Sequence, residues 1–255
     1  MNYIVSAFTD IGIKKNTNQD SLSVKVINTS HGRFVFAILC DGMGGLQKGE
    51  VASASVVNAF EKWVTEQLPL MCRNDLKDYI IQSQWEDIVA SMNEKIKAYG
   101  QRKGMKAGTT AVILLLTADK YFLMNVGDSR IYEISEDIIQ LTKDHTFVER
   151  EVDLGNMTRE QAECDARKNI LLQCIGASKE VYPQMHVGRT KKNSVYMLCS
   201  DGFRHTISSQ EIYDGLNPFV NNNEEEMKKN ITKLIEVNKQ RLETDNISVV
   251  AIRTF

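Results

Sequence analysis

The amino-acid sequence predicts an α+β fold in which helices pack outside antiparallel sheets. Strand-like and helical segments follow the order strands, two helices, strands, a charged stretch, strands, a helix and a final strand, which suits segregated layers. The middle strands are separated only by tight turns, which leave no room for crossover helices, so antiparallel pairing is expected. Because the 255 residues contain no Pro/Gly/Ser-rich linker, we expect one domain over residues 1–255.

The first part of the chain changes from strand patterns to helix patterns. Runs rich in Val, Ile and Phe, bounded by Asn, Ser and Gly, predict strands at Tyr3–Thr9, Ser21–Ile27 and Arg33–Cys40. Apolar residues that recur every four positions then predict a helix over Glu50–Leu68, and a similar pattern predicts a second helix over Asp75–Tyr99. Each helix has one apolar face to bury.

The rest of the chain is mainly strand-like. A second block of predicted strands begins near Gly108 and continues at Val112–Leu116, Tyr121–Val126, Arg130–Ile134 and Ile138–Leu141. The stretch Asp144–Lys168 is strongly charged and predicts a mobile surface excursion with short helices. After it we predict two strands, a helix and a last strand, at Tyr182–Val187, Ser194–Cys199, Glu224–Leu242 and Ile247–Ile252.

Composition excludes several classes of protein. A formal net charge of −2 and a pI near 6.1 offer no global attraction to nucleic acid or to an anionic membrane, so neither is expected as a partner. The five cysteines are odd in number and include no Cys-x-x-Cys pair, which argues against a disulfide framework and a zinc site. Since no signal peptide and no span of about 20 apolar residues is found, we expect a cytoplasmic protein.

Five short acidic signatures are spread along the whole chain, and at least three of them follow a strand-like run. They are Asn18-Gln19-Asp20, Asp41-Gly42-Met43-Gly44-Gly45, Gly127-Asp128-Ser129-Arg130, Ser200-Asp201-Gly202 and Asp245-Asn246. Each alone could be an ordinary turn, and the third could hold an internal Asp128–Arg130 pair. Together, carboxylates delivered at strand ends with amide oxygens beside them suit Mg²⁺ or Mn²⁺, so the sequence predicts a metal-dependent hydrolase.

The ordered set of signatures resembles the metal-dependent protein phosphatase family (PPM, the type 2C serine/threonine phosphatases), in particular its compact bacterial members. The similarity runs from about Ile11 to Val250 and includes the further motifs Gly49-Glu50-Val51-Ala52-Ser53, Gly108-Thr109-Thr110 and Asp144-His145-Thr146. The resemblance implies a four-layer α-β-β-α sandwich of two antiparallel sheets flanked by helices. It also implies hydrolysis of phosphoserine and phosphothreonine in proteins.

The same resemblance implies a site with two Mn²⁺ or Mg²⁺ ions and a weaker third metal. By position, Asp41 would bridge both principal metals, and the carbonyl of Gly42 would bind one of them. Asp201 and Asp245 would bind the other, and Asp128 together with Asp201 matches the third site. Two such ions lower the pKa of a shared water, so that hydroxide attacks the phosphoryl group in line and no protein nucleophile is needed.

The remaining site residues include departures from the family pattern. Asp20 would support the metals from just behind their ligands. Lys15 replaces a usual Arg and is expected to face the phosphate, with simple solvent exposure as the alternative. Gln19 replaces a usual Glu, which removes one negative charge and predicts weaker metal binding. Met43 replaces a His found in many relatives and cannot protonate the leaving group, so a metal-bound water or solvent must do so.

The charged excursion corresponds to the flap of the family, at about residues 144–169. We predict that its charge tunes which phosphoproteins fit, and a solvated face without that role is the alternative. In this flap, Asp165-Ala166-Arg167-Lys168-Asn169 replaces the common His-Pro-x-Arg-Asn.

The resemblance also implies partners. We expect a monomer that acts on phosphoserine and phosphothreonine proteins and opposes a cognate serine/threonine kinase. Two alternatives remain open at this stage. One is a dedicated phosphatase of a single regulatory phosphoprotein in a partner-switching module. The other is a non-catalytic binding module that has lost its metals.

Overall fold

Two five-stranded antiparallel sheets face each other in the computed structural model, which describes residues 1–43, 48–73 and 76–255. The strands are β1 (Tyr3–Asp10), β2 (Ser21–Thr29), β3 (Gly32–Cys40), β4 (Ala111–Leu116), β5 (Lys120–Val126), β6 (Arg130–Ile134), β7 (Ile138–Gln140), β8 (Gln184–Arg189), β9 (Val195–Cys199) and β10 (Ile247–Thr254). One sheet has the order β1-β10-β9-β6-β7 and the other β2-β3-β4-β5-β8. The predicted antiparallel pairing is confirmed.

Helices cover the outer face of each sheet. The described residues form the helices α1 (Gly49–Glu66), α2 (Leu68–Met71), α3 (Asp78–Lys103), α4 (Phe147–Asp153), α5 (Arg159–Cys164), α6 (Asp201–Arg204), α7 (Ser209–Leu216) and α8 (Glu224–Gln240). Helices α1 and α3 pack on the sheet that contains β3, and helices α6 to α8 pack on the sheet that contains β10. The four-layer sandwich expected from the family resemblance is therefore confirmed.

Strand β3 shows how the layers are built. Its alternate residues Phe36 and Ile38 pack against the helices, whereas Val35 and Leu39 face the opposite sheet. All four are buried, which explains why this segment is a continuous apolar run instead of an alternating one. An aromatic cluster of Phe36, Phe60, Trp63 and Trp85 fills the helix side, with ring centroids 5.5 to 6.5 Å apart.

Several element bounds differ from those expected, and prolines account for two of the differences. Pro69 has no N–H to continue α1, so the helix expected over Glu50–Leu68 divides into α1 and α2. Pro183 delays the start of β8 to Gln184. Helix α3 extends to Lys103 and ends at Gly104, a left-handed residue with φ of 63°. The expected start of this helix at Asp75 lies outside the described residues.

Short helices form within the excursion, as predicted. Thr146 caps α4 by accepting a hydrogen bond from the Glu149 N–H at 3.3 Å, and Thr158 and Gln161 form a capping box at the start of α5. The mobility of this segment, its bounds as a flap and the single-domain organisation stay predictions. None of the helices in the described ranges is both long and apolar enough to cross a membrane.

Candidate metal centre

Four of the predicted carboxylates line one cavity of about 1140 Å³, and Lys15 lines it with them. Strand ends bring them together: Asp41 follows β3, Asp128 lies between β5 and β6, Asp201 follows β9 and Asp245 precedes β10. These strands belong to both sheets. The cavity therefore forms where strand ends of the two sheets meet, and distant parts of the chain contribute to one site.

The backbone of Asp41 is fixed on both sides. Its N–H donates to the Thr110 hydroxyl at 3.0 Å, and its carbonyl accepts from the Thr110 N–H at 2.8 Å and the Thr109 hydroxyl at 2.9 Å. The Thr110 hydroxyl also contacts the Ser129 hydroxyl at 2.7 Å. The carbonyl and N–H of Asp41 are thus satisfied within the protein, and its side chain lines the cavity.

Gly42 lies where two segments come close together. Its N–H donates to the Gln19 carbonyl at 3.1 Å, and a Cβ at this position would lie 2.5 Å from the carbonyl oxygens of Gln19 and Gly49. Any other residue would push these segments apart. Gly44 and Gly45, the last residues of this signature, lie outside the described residues.

Like charges crowd the carboxylate cluster, by which we mean Asp20, Asp41, Asp128, Asp201 and Asp245. Burial, followed by the charges of Asp20 and Asp201, raises the pKa of Asp41 well above its ordinary value. Burial and the charge of Asp201 raise the pKa of Asp128 to about 7. A bound cation would relieve this repulsion and restore the ionised form.

Two members of the cluster have buried oxygens with unused acceptor capacity. Within the described parts of the chain, no group donates a hydrogen bond of normal geometry to Asp201 Oδ1 or to either carboxylate oxygen of Asp20. Burial raises the pKa of Asp20 to about 7, an effect that the nearby hydroxyls of Ser248 and Ser200 partly offset. Buried acceptors without donors, all of them hard oxygens, fit Mg²⁺ or Mn²⁺.

Lys15 supplies the nearest positive charge to this cluster. Its ammonium lies 2.8 Å from Asp245 Oδ1, and its side chain is 28% exposed. Partial burial opposes its charge, but the hydrogen bond and charge of Asp245 raise the pKa of Lys15. No three described His, Cys, Asp or Glu side chains form a ready-made metal cage, so the carboxylates share a cavity without converging on one point. Lys15 lines the same cavity as the carboxylates, and its role toward a phosphate stays a prediction.

His205, which sequence reasoning did not single out, lies against the carboxylate cluster. His205 Nε2 lies 3.5 Å from Asp201 Oδ2, and Nδ1 lies 3.5 Å from Glu243 Oε2. Glu243 in turn accepts hydrogen bonds from the N–H groups of Thr244 and Asp245. The only signal in the sequence is spacing, since His205 follows Asp201 by four residues, one turn of helix later.

A paired set of charges lies beside the carboxylates. Arg130 donates to both oxygens of Asp144, at 2.9 Å from Nε and 2.7 Å from Nη2. Arg204 Nη2 donates to the Asp128 carbonyl at 3.0 Å. The alternative of an internal Asp128–Arg130 pair is therefore wrong, because Asp144 offers Arg130 the two-oxygen geometry that a guanidinium prefers.

The other predicted departures lie close to the site. Met43 lines the cavity and carries no proton to donate. Gln19 Nε2 is 3.5 Å from Glu50 Oε2, so its amide faces this neighbouring carboxylate. Burial raises the pKa of Cys40 and raises that of Cys199 to about 12. Neither thiol is poised to ionise as a nucleophile, which agrees with chemistry that uses oxygen ligands.

Comparisons with known proteins find similar sequences over most of the chain. A family model described as protein phosphatase 2C matches residues 13–241. The protein phosphatase PhpP of Streptococcus pneumoniae is 33% identical over 213 residues, which cover 82% of this chain and 82% of PhpP.

Solved structures show the same fold over almost the whole length. The serine/threonine phosphatase Stp1 from Staphylococcus aureus is 26% identical, with a TM-score of 0.83 over 98% of this chain and 94% of Stp1. The catalytic domain of the serine/threonine protein phosphatase PstP, solved in complex with two manganese ions, is 27% identical. Its TM-score is 0.77 over 99% of each chain.

Proposed function

This chain belongs to the protein phosphatase 2C family and is a serine/threonine protein phosphatase, and we propose that its reaction takes place at Asp41, Asp201 and Asp245. The observation that carries the proposal is the cavity itself, where these carboxylates from distant strand ends meet. The crowding of their charges and the buried Asp201 Oδ1 without a donor support a role in holding cations.

We propose that the site holds two Mn²⁺ or Mg²⁺ ions. Asp41 would contact both, helped by the carbonyl of Gly42, and Asp201 and Asp245 would hold the second. When bound, such ions would supply positive charge to the phosphoryl oxygens and lower the pKa of a water positioned for in-line attack. The two manganese ions in the PstP complex support this number and this class of metal.

The other members of the carboxylate cluster have supporting roles in the proposal. Asp128 is buried and is repelled by the charge of Asp201. The two carboxylates would share a third and weaker metal. Asp20 is 8% exposed and would add negative charge behind the ligands. His205 would hold Asp201 in place, since its other nitrogen is anchored by Glu243.

Lys15 would bind the phosphate of the substrate. Its ammonium already lies in the cavity at 2.8 Å from Asp245, so it can exchange a carboxylate oxygen for a phosphate oxygen without leaving the site. Because Lys carries a single ammonium charge and lacks the bidentate guanidinium of Arg, its binding of phosphate is less directional. Met43 leaves the protonation of the departing hydroxyl group to solvent or to a water in the site.

Phosphoserine and phosphothreonine proteins are the substrates, and we propose that a serine/threonine kinase of the same cell produces them. A monomeric, cytoplasmic enzyme is part of the same proposal, and its five cysteines, all free thiols, are in keeping with a reducing compartment. The flap at residues 144–169 remains the proposed element that adjusts which phosphoproteins fit.

Release of phosphate from a phosphothreonine peptide tests this proposal. The assay compares Mn²⁺ with EDTA in the wild type and in Asp41→Asn and Asp201→Asn, with Asp137→Asn on the exposed β6–β7 turn as the matched control. Metal-dependent release that is lost in the two site variants and kept in the control supports the proposal. A folded, Mn²⁺-saturated wild type that releases no phosphate would overturn it and favour a non-catalytic binding module.

A further inference from the structure

The cavity extends well beyond the metal centre. Its volume of about 1140 Å³ exceeds the roughly 300–1,000 Å³ that accommodates a drug-sized ligand, so one phosphorylated side chain leaves much of it open. The remaining part lies between the C-terminal end of α3 with the loop after it and the segment 169–182. We call this part the lysine arm, after Lys97, Lys106 and Lys179, which line it.

Hydrogen bonds tie the two walls of the lysine arm together. Asn93 on α3 donates to the Ser178 carbonyl at 3.2 Å and accepts from the Gly176 N–H at 2.8 Å. Lys97 Nζ donates to the Lys179 carbonyl at 3.1 Å. Because Asn93 is buried and both its amide atoms are used, the arm is formed before any ligand arrives.

The charge of the lysine arm is opposite to that of the metal centre. Three lysines line it and Glu180 is its one acidic lining residue among those described. Lys97 is committed to Glu94 at 2.8 Å, whereas the exposed Lys106 and Lys179 form no ion pair with any other described residue. Two ammonium groups are thus available to a ligand.

The lysine arm also has an apolar part. Met105, Ala107, Leu171 and Leu172 line it together with the lysines, and Leu172 is 42% exposed. A lining that combines apolar residues with positive charge suits an extended peptide, whose aliphatic carbons can contact the apolar residues while its acidic side chains reach the ammonium groups.

We propose that the lysine arm binds the residues that flank the phosphorylated residue of the substrate and selects phosphopeptides with acidic side chains there. This inference rests on the proposed function, because the phosphate must occupy the metal end of the same cavity. The lysine arm then determines which phosphoserine and phosphothreonine sites are dephosphorylated fastest. The metal centre does not discriminate among their phosphates.

Three phosphothreonine peptides test the inference, identical except for Glu, Ala or Lys at the flanking positions on both sides. Their kcat/KM values are measured together with their Kd values by fluorescence anisotropy. For the wild type we expect the Glu peptide to have a kcat/KM at least about fivefold higher than the Lys peptide, and a Kd at least about fivefold lower. In the double variant Lys106→Glu/Lys179→Glu the order should reverse.

Lys192→Glu is the matched control, since it makes the same change of charge at an exposed lysine outside the cavity. It should keep the wild-type ratio between the Glu and Lys peptides. Equal values for the three peptides in the wild type, an unchanged ratio in the double variant or an equal change in Lys192→Glu would overturn the inference.

Turnover of a small aryl phosphate separates failure of this inference from failure of the proposed function. If the wild type hydrolyses p-nitrophenyl phosphate but shows no preference among the peptides, only the inference about the lysine arm is overturned. Loss of all phosphate release overturns the phosphatase site, and the anisotropy ratios then still decide whether the arm selects acidic peptides.

Discussion

Two groups of buried charge lie side by side at the open edge of the sandwich. In the ion pair, Asp144 is 9% exposed and accepts three hydrogen bonds from Arg130, whose pKa they raise although burial opposes it. In the carboxylate cluster, Asp41 has only like charges as its main neighbours, and Asp201 has a buried oxygen without a donor.

This difference separates buried charges that stabilise the fold from buried charges that are suited to bind a ligand. A buried charge with a complete set of partners stabilises the fold and needs nothing from outside. A group of like charges with unused acceptor oxygens makes the metal-free fold less stable, and a cation from solution would balance it. We therefore assign the first group to the architecture and propose that the second takes part in the reaction.

The largest expected effect of any substitution in the carboxylate cluster or the ion pair is the loss of activity in Asp41→Asn. We expect kcat/KM to fall by about a thousandfold or more, since several kcal/mol of transition-state stabilisation depend on the metals. In EDTA the variant should be at least as stable as the wild type, because it loses a repelled charge. A variant with wild-type kcat/KM would contradict the assignment. Urea unfolding in EDTA checks the second part.

Asp144→Asn should show the opposite behaviour. Removing one partner of a buried pair leaves Arg130 without its counter-charge, so we expect a loss of about 3 kcal/mol in the free energy of unfolding. Asp153→Asn, which breaks the exposed pair with Lys143, is the control and should change stability by less than about 1 kcal/mol. Equal effects in urea unfolding would show that the two pairs do not differ as described.

Gln19→Glu would sharpen the comparison by adding one more carboxylate near the cluster. We expect the Mn²⁺ concentration for half-maximal activity to fall by about threefold, because an extra negative charge nearby favours a cation. Gln82→Glu, on the outer face of α3, is the control. An unchanged Mn²⁺ requirement in Gln19→Glu would rule out the idea that this departure weakens metal binding.

The smallest expected effect concerns the exposed ion pair of Glu211 and Arg241. Hydrogen bonds from Arg241 and from the Ser208 N–H lower the pKa of Glu211 to about 2. Its contribution to stability is therefore present above the ordinary Glu pKa of 4.5 and is lost as the pH falls toward 2. Glu211→Gln should lower Tm by about 1–2 °C at pH 7, and this difference should shrink below about pH 4.5.

Glu136→Gln, at another exposed glutamate, serves as the control in the same thermal scans. A Tm difference for Glu211→Gln that is constant from pH 7 to pH 2 would show that the Arg241 pair does not depend on this charge.

Much of the fold and of the carboxylate cluster could be predicted from sequence because both depend on local patterns. Strand β3 is a continuous apolar run that ends at Asp41, and Asp201 follows β9 in the same way. The partner of Asp144 could not be predicted, because Asp144 lies in a loop and Arg130 lies 14 residues away at the start of β6. The same holds for His205, whose role depends on Glu243 across the site.

The lysine arm was also beyond sequence reasoning. Lys106 and Lys179 are separated by four strands and two helices along the chain, and each alone is an ordinary surface lysine. Hydrogen bonds from Asn93 and Lys97 to the segment 176–179 bring the two walls together. Contacts between distant segments leave no periodic pattern that a single sequence could display.

Titration of the metal-free protein with Mn²⁺ by isothermal calorimetry tests the central claim most directly. The account predicts that the wild type and Asp137→Asn bind at least two Mn²⁺ ions, and that Asp201→Asn binds at least one fewer or binds them with about tenfold lower affinity. The same number of ions and the same affinity in Asp201→Asn and the wild type would contradict the claim that the carboxylate cluster is the metal centre.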